Sequence, residues 1–124
     1  MIRGVGTDVV ELDHFTDVVL NSREGFLERL FTTREIDHCE RFKDRMASYA
    51  AVFAAKEAFL KAMGTGLAPG IRWTDVEVVH ARSGAPSIVA HGRCEQLLGE
   101  GVAHVSLTHS KRSAAAVVLI EDPK

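Results

Sequence analysis

Apolar positions at two different spacings divide the chain. Val52, Ala55, Phe59 and Met63 recur at helical spacing, and no Gly or Pro interrupts Phe53 to Met63. Ala, Glu, Lys, Leu and Met dominate that stretch, all strong helix formers. The pattern predicts one long helix from about Ala47 to Met63, half of it facing the core. Gly64 follows, where a residue free to take positive φ ends a helix. Ahead of it, Ile2 to Leu12 reads as a strand, its β-branched run Val5, Val9 and Val10 bounded by Gly4 and Gly6. Three short helices are expected next: Asp13 to Leu20 with Asp13 as a possible N-cap, Gly25 to Leu30, and Thr33 to about Phe42 capped by Thr32 or Thr33. Arg41 to Arg45 is a charged connection. Beyond the long helix, Gly64-Thr65-Gly66 and Pro69-Gly70 mark a loop. Strands are then predicted over Trp73–Ala81, Ile88–Ala90 and Val102–His109, with a helix over Gly92–Leu98. Ser110 to Ser113 is a tight connection. Ala114 to Ile120 is a continuous apolar run, expected to be a strand buried on both faces.

Composition narrows the class. With 124 residues, 46% of them hydrophobic and 26% charged, this is one folded domain. A chain of this size buries only about two thirds of its unfolded surface, so subunit contacts would add stability. The net charge of −2 argues against nonspecific binding of nucleic acid. Cys39 and Cys94 lack partners at metal-ligand spacing and read as free thiols. Neither a signal peptide nor a membrane-spanning run is legible, so a cytoplasmic protein is expected.

Against this background a few polar residues stand out. Asp8 interrupts a run of valines, where a carboxylate is costly unless it is paired or holds a metal; it also fits a strand end that caps the next element. Strand alternation puts Asp8 with Val10 on one face and Glu11 on the other. Glu57 and Lys61, four apart, share one helix face, and the ordinary reading of such a pair is a surface ion pair of little worth. In HVSLTH, His104, Ser106 and Thr108 share one face of a strand, and Val105, Leu107 and His109 the other. His109 ends that strand beside Ser110, Lys111 and Arg112, a setting that suits a phosphate as well as it suits a structural histidine. His38 and His91 fall at polar helical positions and read as solvated. Two carboxylates, Asp8 and Glu57, can hold Mg²⁺, which keeps waters and takes substrate phosphates as its other ligands. A lysine and the amides of a glycine loop suit phosphate oxygens. Walker A and GxGxxG motifs are both missing, which argues against an ordinary nucleotide fold.

Three blocks in order, GVGTDVVEL at 4–12, FAAKEAFLKAMGTG at 53–66 and HVSLTHS at 104–110, closely resemble the holo-[acyl-carrier-protein] synthase family, the short 4′-phosphopantetheinyl transferases. The resemblance spans nearly the whole chain. It implies a small single-domain α+β fold over residues 1–124, mostly antiparallel sheet packed against a long central helix. It implies transfer of the 4′-phosphopantetheine arm of coenzyme A (CoA) to a serine of an apo acyl carrier protein, with release of adenosine 3′,5′-bisphosphate. By the family's motifs, Asp8 and Glu57 resemble Mg²⁺ ligands, and Lys61 the contact to the pyrophosphate. Gly64, Thr65 and Gly66 resemble the loop beside the nucleotide, and His109 and Ser110 contacts to its 3′-phosphoadenosine end. Either Glu57 or Asp8 through water would serve as the base. A homotrimer with CoA bound between neighbouring subunits is implied as well.

The chain departs from the family pattern at Val52, where Arg or Lys is common, and at His14, where Arg is common. Residues 14–45 hold six Arg or Lys and seven Asp or Glu, so the surface expected to dock an acidic carrier is not plainly basic. Arg23, Arg29 and Arg45 are its candidate cations. Two other readings use the same residues: a Mg²⁺-dependent phosphohydrolase that cleaves a pyrophosphate with water, and a catalytically silent CoA-binding or carrier-binding module.

Overall fold

The computed structural model describes residues 1–124. The elements run β1 (Ile2–Glu11), α1 (Leu12–Leu20), α2 (Phe26–Leu30), α3 (Thr33–Glu40), α4 (Arg45–Met63), a 3₁₀ turn (Trp73–Asp75), β2 (Val76–His80), β3 (Pro86–Ala90), α5 (Gly92–Leu98), β4 (Val102–His109) and β5 (Ser113–Glu121). A three-stranded sheet in the order β1-β5-β4 and a two-stranded sheet β2-β3 are antiparallel throughout. This is the expected α+β architecture, with α4 at its centre.

The Asp44 side chain accepts from Ala47 N–H at 3.1 Å and starts α4 two residues earlier than the apolar spacing predicts. Gly64, at φ 78°, ends it as expected. The helix is not half exposed. Twelve of its nineteen residues are buried, seven of them the alanines Ala47, Ala50, Ala51, Ala54, Ala55, Ala58 and Ala62. Alanine is a strong helix former whose small side chain says little about periodicity, and it lets neighbours approach α4 from several sides.

Other boundaries shift for local reasons. Helix α1 begins at Leu12, so Asp13 lies in its first turn, and Glu11 at the cap position makes no side-chain cap bond. Thr32 caps α3 reciprocally with Glu35, at 3.2 Å for Glu35 N–H to Thr32 Oγ1 and 2.8 Å for Thr32 N–H to Glu35 Oε1. The predicted strand Trp73–Ala81 opens instead as a 3₁₀ turn, because the Asp75 carboxylate turns back to accept from Arg72 N–H at 2.9 Å. Strand β5 is buried on one face only: Ala114, Ala116, Val118 and Ile120 point inward. On the other face of the sheet Val5 and Val9 of β1, Val102 of β4 and Val117 of β5 are exposed. Cys39 and Cys94 are buried free thiols.

Candidate active site

Gly4 and Gly6 do not border β1; they lie within it, on the face that meets α4. A Cβ on Gly4 would sit 2.0 Å from the Ala62 carbonyl oxygen, and one on Gly6 2.0 Å from that of Ala58. Strand and helix therefore touch backbone to backbone, which only glycine permits. Asp8 is the next residue on that inward face, and it reaches the exposed turn of α4. There Lys61 Nζ donates to Asp8 Oδ1 at 3.0 Å and to the Thr7 carbonyl at 3.0 Å. Asp8 is paired within its strand with Ala116 of β5, so it is neither at a frayed end nor a cap.

Glu57 lies one turn before Lys61. Burial raises its pKa above the ordinary carboxylate value; the negative charge of Asp8 beside it raises it further, and Lys61 opposes the rise. Two carboxylates held this close repel unless a proton or a cation lies between them. Lys61 does not neutralise both: it is paired with Asp8, and its side chain remains 54% exposed against 10% for Asp8. A pair of carboxylates with spare oxygens fits Mg²⁺, which needs few protein ligands.

Asp8 and Glu57 stand in the wall of a cavity of about 590 Å³ that Glu11 and His14 also line and whose remaining walls are apolar, among them Val10, Phe15, Val18, Phe26 and Phe53. The cavity thus has an acidic patch in an oily trough. Arg23 and Arg29 line a smaller hollow that shares Val18 and Phe26 with it. Arg45, the third candidate docking cation, is bound to Glu40 at 3.1 Å. Glu40 is held in turn by Tyr49 Oη at 2.6 Å, and these two partners keep its carboxyl below the ordinary range.

The Gly64-Thr65-Gly66 loop follows Lys61, but its amides are occupied. Gly64 N–H donates to Lys61 O at 3.0 Å, and Thr65 and Gly66 N–H to Leu60 O at 3.2 and 3.3 Å. They close the helix end, so the expected cradle of free amides is not present. What the loop offers is the exposed Thr65 hydroxyl and open space at both glycines.

His109 and Ser110 are not brought to Asp8 and Glu57. His109 lines a separate cavity of about 350 Å³ with His38, His80, Ser48, Val52 and Leu107. Ser48 and Glu57 are nine residues apart, about 180° around an α-helix. The acidic pair and the His109 cavity therefore lie on opposite sides of α4 within one chain. His38, expected to be solvated, is partly buried, its ring stacked on His80 at 3.8 Å. No periodicity could reveal that pairing, because 42 residues separate the two.

Sequence reading also passed over Lys56. It is wholly buried beside Glu57, with its Nζ 2.6 Å from Glu35 Oε1. Nζ also donates to the carbonyls of Val76 at 2.7 Å and Trp73 at 3.0 Å. A lysine next to a glutamate in a helix reads as surface; only the capping-box glutamate of α3, already turned inward, hints at a partner.

A family model described as the 4′-phosphopantetheinyl transferase superfamily matches residues 4–119. A protein of Geobacter sp. (strain M21) named holo-[acyl-carrier-protein] synthase is 41% identical over 124 residues, covering 98% of this chain and 99% of the relative. The crystal structure of a holo-(acyl-carrier-protein) synthase from Bacillus anthracis str. Ames in complex with CoA (3′,5′-ADP) matches with a TM-score of 0.84 at 32% identity, over 99% of each chain. The Helicobacter pylori holo-[acyl-carrier-protein] synthase in complex with coenzyme A matches with a TM-score of 0.84 at 27% identity, over 94% of this chain and 99% of that one. Motif order, fold and relatives agree from end to end, and the chain belongs to the holo-[acyl-carrier-protein] synthase family of 4′-phosphopantetheinyl transferases.

Proposed function

We propose that this protein transfers the 4′-phosphopantetheine arm of CoA to a serine hydroxyl of an apo acyl carrier protein and releases adenosine 3′,5′-bisphosphate. The observation that carries the reading is Asp8 and Glu57 in the wall of a largely apolar cavity, with Lys61 bonded to Asp8, in a chain of this family. Asp8 and Glu57 are the residues that would hold Mg²⁺; when bound, the ion supplies a Lewis acid and a template for the pyrophosphate. Glu57, made more basic by burial and by Asp8, accepts the serine proton directly or through water. The serine oxygen forms its bond to the β-phosphorus as the bond to the leaving 3′,5′-ADP breaks. Lys61, its exposed head bonded to Asp8, neutralises charge that develops on the pyrophosphate oxygens. Thr65 and the open glycines flank the nucleotide, and His109 and Ser110 meet its 3′-phosphoadenosine end. The apolar trough takes the pantetheine arm and the apolar side of the carrier, whose acidic surface meets Arg23 and Arg29.

CoA spans an acidic site and a nucleotide cavity that one chain holds on opposite sides of α4. A homotrimer with each site shared between neighbours reconciles them, and the exposed valines of the main sheet supply a contact face. Light scattering at micromolar concentration tests this; a fully active monomer would contradict it. No helix is long and apolar enough to cross a membrane, which accords with work in the cytoplasm on dissolved substrates.

The deciding experiment is the intact mass of apo carrier proteins after incubation with the enzyme, CoA and Mg²⁺. A gain of one phosphopantetheine group is expected. Release of 3′,5′-ADP without any carrier would instead assign a phosphohydrolase, and the absence of both reactions a silent binding module.

A further inference from the structure

The cavity on the far side of α4 has an unusual wall. No lysine, arginine or carboxylate lines it; its titratable groups are His38, His80 and His109. The rings of His38 and His80 lie face to face, centroids 3.8 Å apart and planes within 5°. Phe42 closes on the outer side of His38, edge-on at 5.0 Å. His80 Nδ1 is buried and has no hydrogen-bond partner. An unpaired buried nitrogen costs stability, and here it belongs to a ring in the wall of a space large enough for a phosphate and part of a nucleoside.

We propose that the stacked His38–His80 pair is a proton-linked specificity element for the 3′-phosphate of CoA: it is neutral when the cavity is empty and takes up a proton when that phosphate binds. The inference rests on the transferase reading above and extends its nucleotide contacts beyond His109 and Ser110. Three features support it. First, burial disfavours a charge on either ring, and Arg41 at the end of α3 adds repulsion at His38, as His38 does at His80; both values lie below the ordinary one. Arg41, at the end of His38's own helix, is the charge acting on the pair, His109 is the other titratable group in the cavity wall, and no carboxylate lines that wall. Second, two parallel imidazoles in contact cannot both carry charge without strong repulsion, so the pair takes one proton, not two. Third, a phosphate monoester is mostly dianionic near neutral pH, and a dianion beside the pair reverses the sign of its surroundings. The buried position of Val52 puts an aliphatic side chain in this wall, so no permanent cation competes for the phosphate there. A ligand without the 3′-phosphate gives the pair no reason to protonate.

Linkage then fixes the observable. If binding takes up one proton, affinity rises by up to about tenfold per unit fall in pH, and only for the ligand that carries the 3′-phosphate. The test is titration calorimetry of the intact protein with CoA and with 3′-dephospho-CoA, near neutral pH, in buffers of different ionisation enthalpy. CoA is expected to take up about one proton more than dephospho-CoA, and preference for CoA to rise about fivefold or more between about pH 7.5 and 6.5. His38→Gln and His80→Gln should each abolish most of the excess uptake. Equal proton uptake by the two ligands, with carrier modification intact, overturns the inference alone. Excess uptake that survives both variants and vanishes in His109→Gln removes the stacked pair from the role. Failure of either nucleotide to bind overturns the inference together with the functional reading. The wild-type comparison of two ligands stands whether or not the variants fold.

Discussion

Lys56 and Glu57 are neighbours on one helix and have opposite fates. Lys56 uses all three of its N–H donors inside the protein, on Glu35 and on the carbonyls of Trp73 and Val76. Glu35 is equally occupied: Thr32 N–H donates to Oε1 at 2.8 Å and Val78 N–H to Oε2 at 2.7 Å. That cluster is closed, with both side chains fully buried, and it ties α3 and β2 to α4. Around Glu57 the groups are left open: Glu57 has no ion-pair partner, and Asp8 meets one exposed lysine head at 3.0 Å. The contrast separates two uses of charge. A saturated cluster specifies structure, and an unsaturated one keeps capacity for a cation and a phosphate.

That separation can be broken most directly by deleting each half. Asp8→Ala and Glu57→Ala should each lower transfer by about a thousandfold or more, the scale for losing a group essential to charge stabilisation, while circular dichroism shows the fold retained. Chelation of wild type should do the same; normal transfer by the double variant in EDTA would end the metal reading. Lys56→Met should instead act on stability, lowering it by about 3–5 kcal/mol in urea unfolding, because it strands a buried carboxylate. Adding Glu35→Leu should recover most of that loss. If Lys56→Met left stability unchanged and abolished transfer, the two clusters would have to be read as one. Lys61→Met is the intermediate case. Its exposed ion pair is worth under about 1 kcal/mol to the fold, yet kcat should fall about ten- to a hundredfold with little change in KM for CoA. The smallest effect concerns pH. Because the folded pKa of Glu57 is raised, its contribution to stability is full below the ordinary carboxylate value and is lost as pH rises through the raised one. The metal-free protein should therefore lose a little stability over that interval. Glu57→Gln should remove the loss and melt slightly higher than wild type at neutral pH, although it transfers nothing.

The closed cluster was invisible in the sequence, and the open one was largely legible. Glu57, Lys61 and Gly64 sit where spacing and capping put them, since helical geometry is local. Asp8 was conspicuous because a carboxylate among valines demands an explanation. Lys56 and Glu35 gave no such signal: each is ordinary in a helix, and their burial depends on packing between elements 21 residues apart. The glycine loop was read correctly as a helix terminus, but the use of its amides was not, because a terminus and an anion cradle require the same residues. The one-sided burial of β5 also escaped, since a continuous apolar run looks the same whether its outer face meets the same chain or lies open. His38 and His80 were separable from solvated histidines only once α3 and β2 were docked.

Gly4 and Gly6 do more than admit a close approach. Each meets a carbonyl oxygen of α4 with no side chain between, so the spacing between strand and helix has no rotamers in it. Side chains that reshuffle on warming cannot widen the gap there, because none stand in it. The distance from Asp8 to Glu57 then varies chiefly through the side-chain torsions of those two residues, and the entropy of bringing the two carboxylates together is met at folding. Mutational tolerance inverts in consequence: a single methyl at Gly6, outside the cavity wall, would displace Asp8 more than many changes made inside the cavity itself.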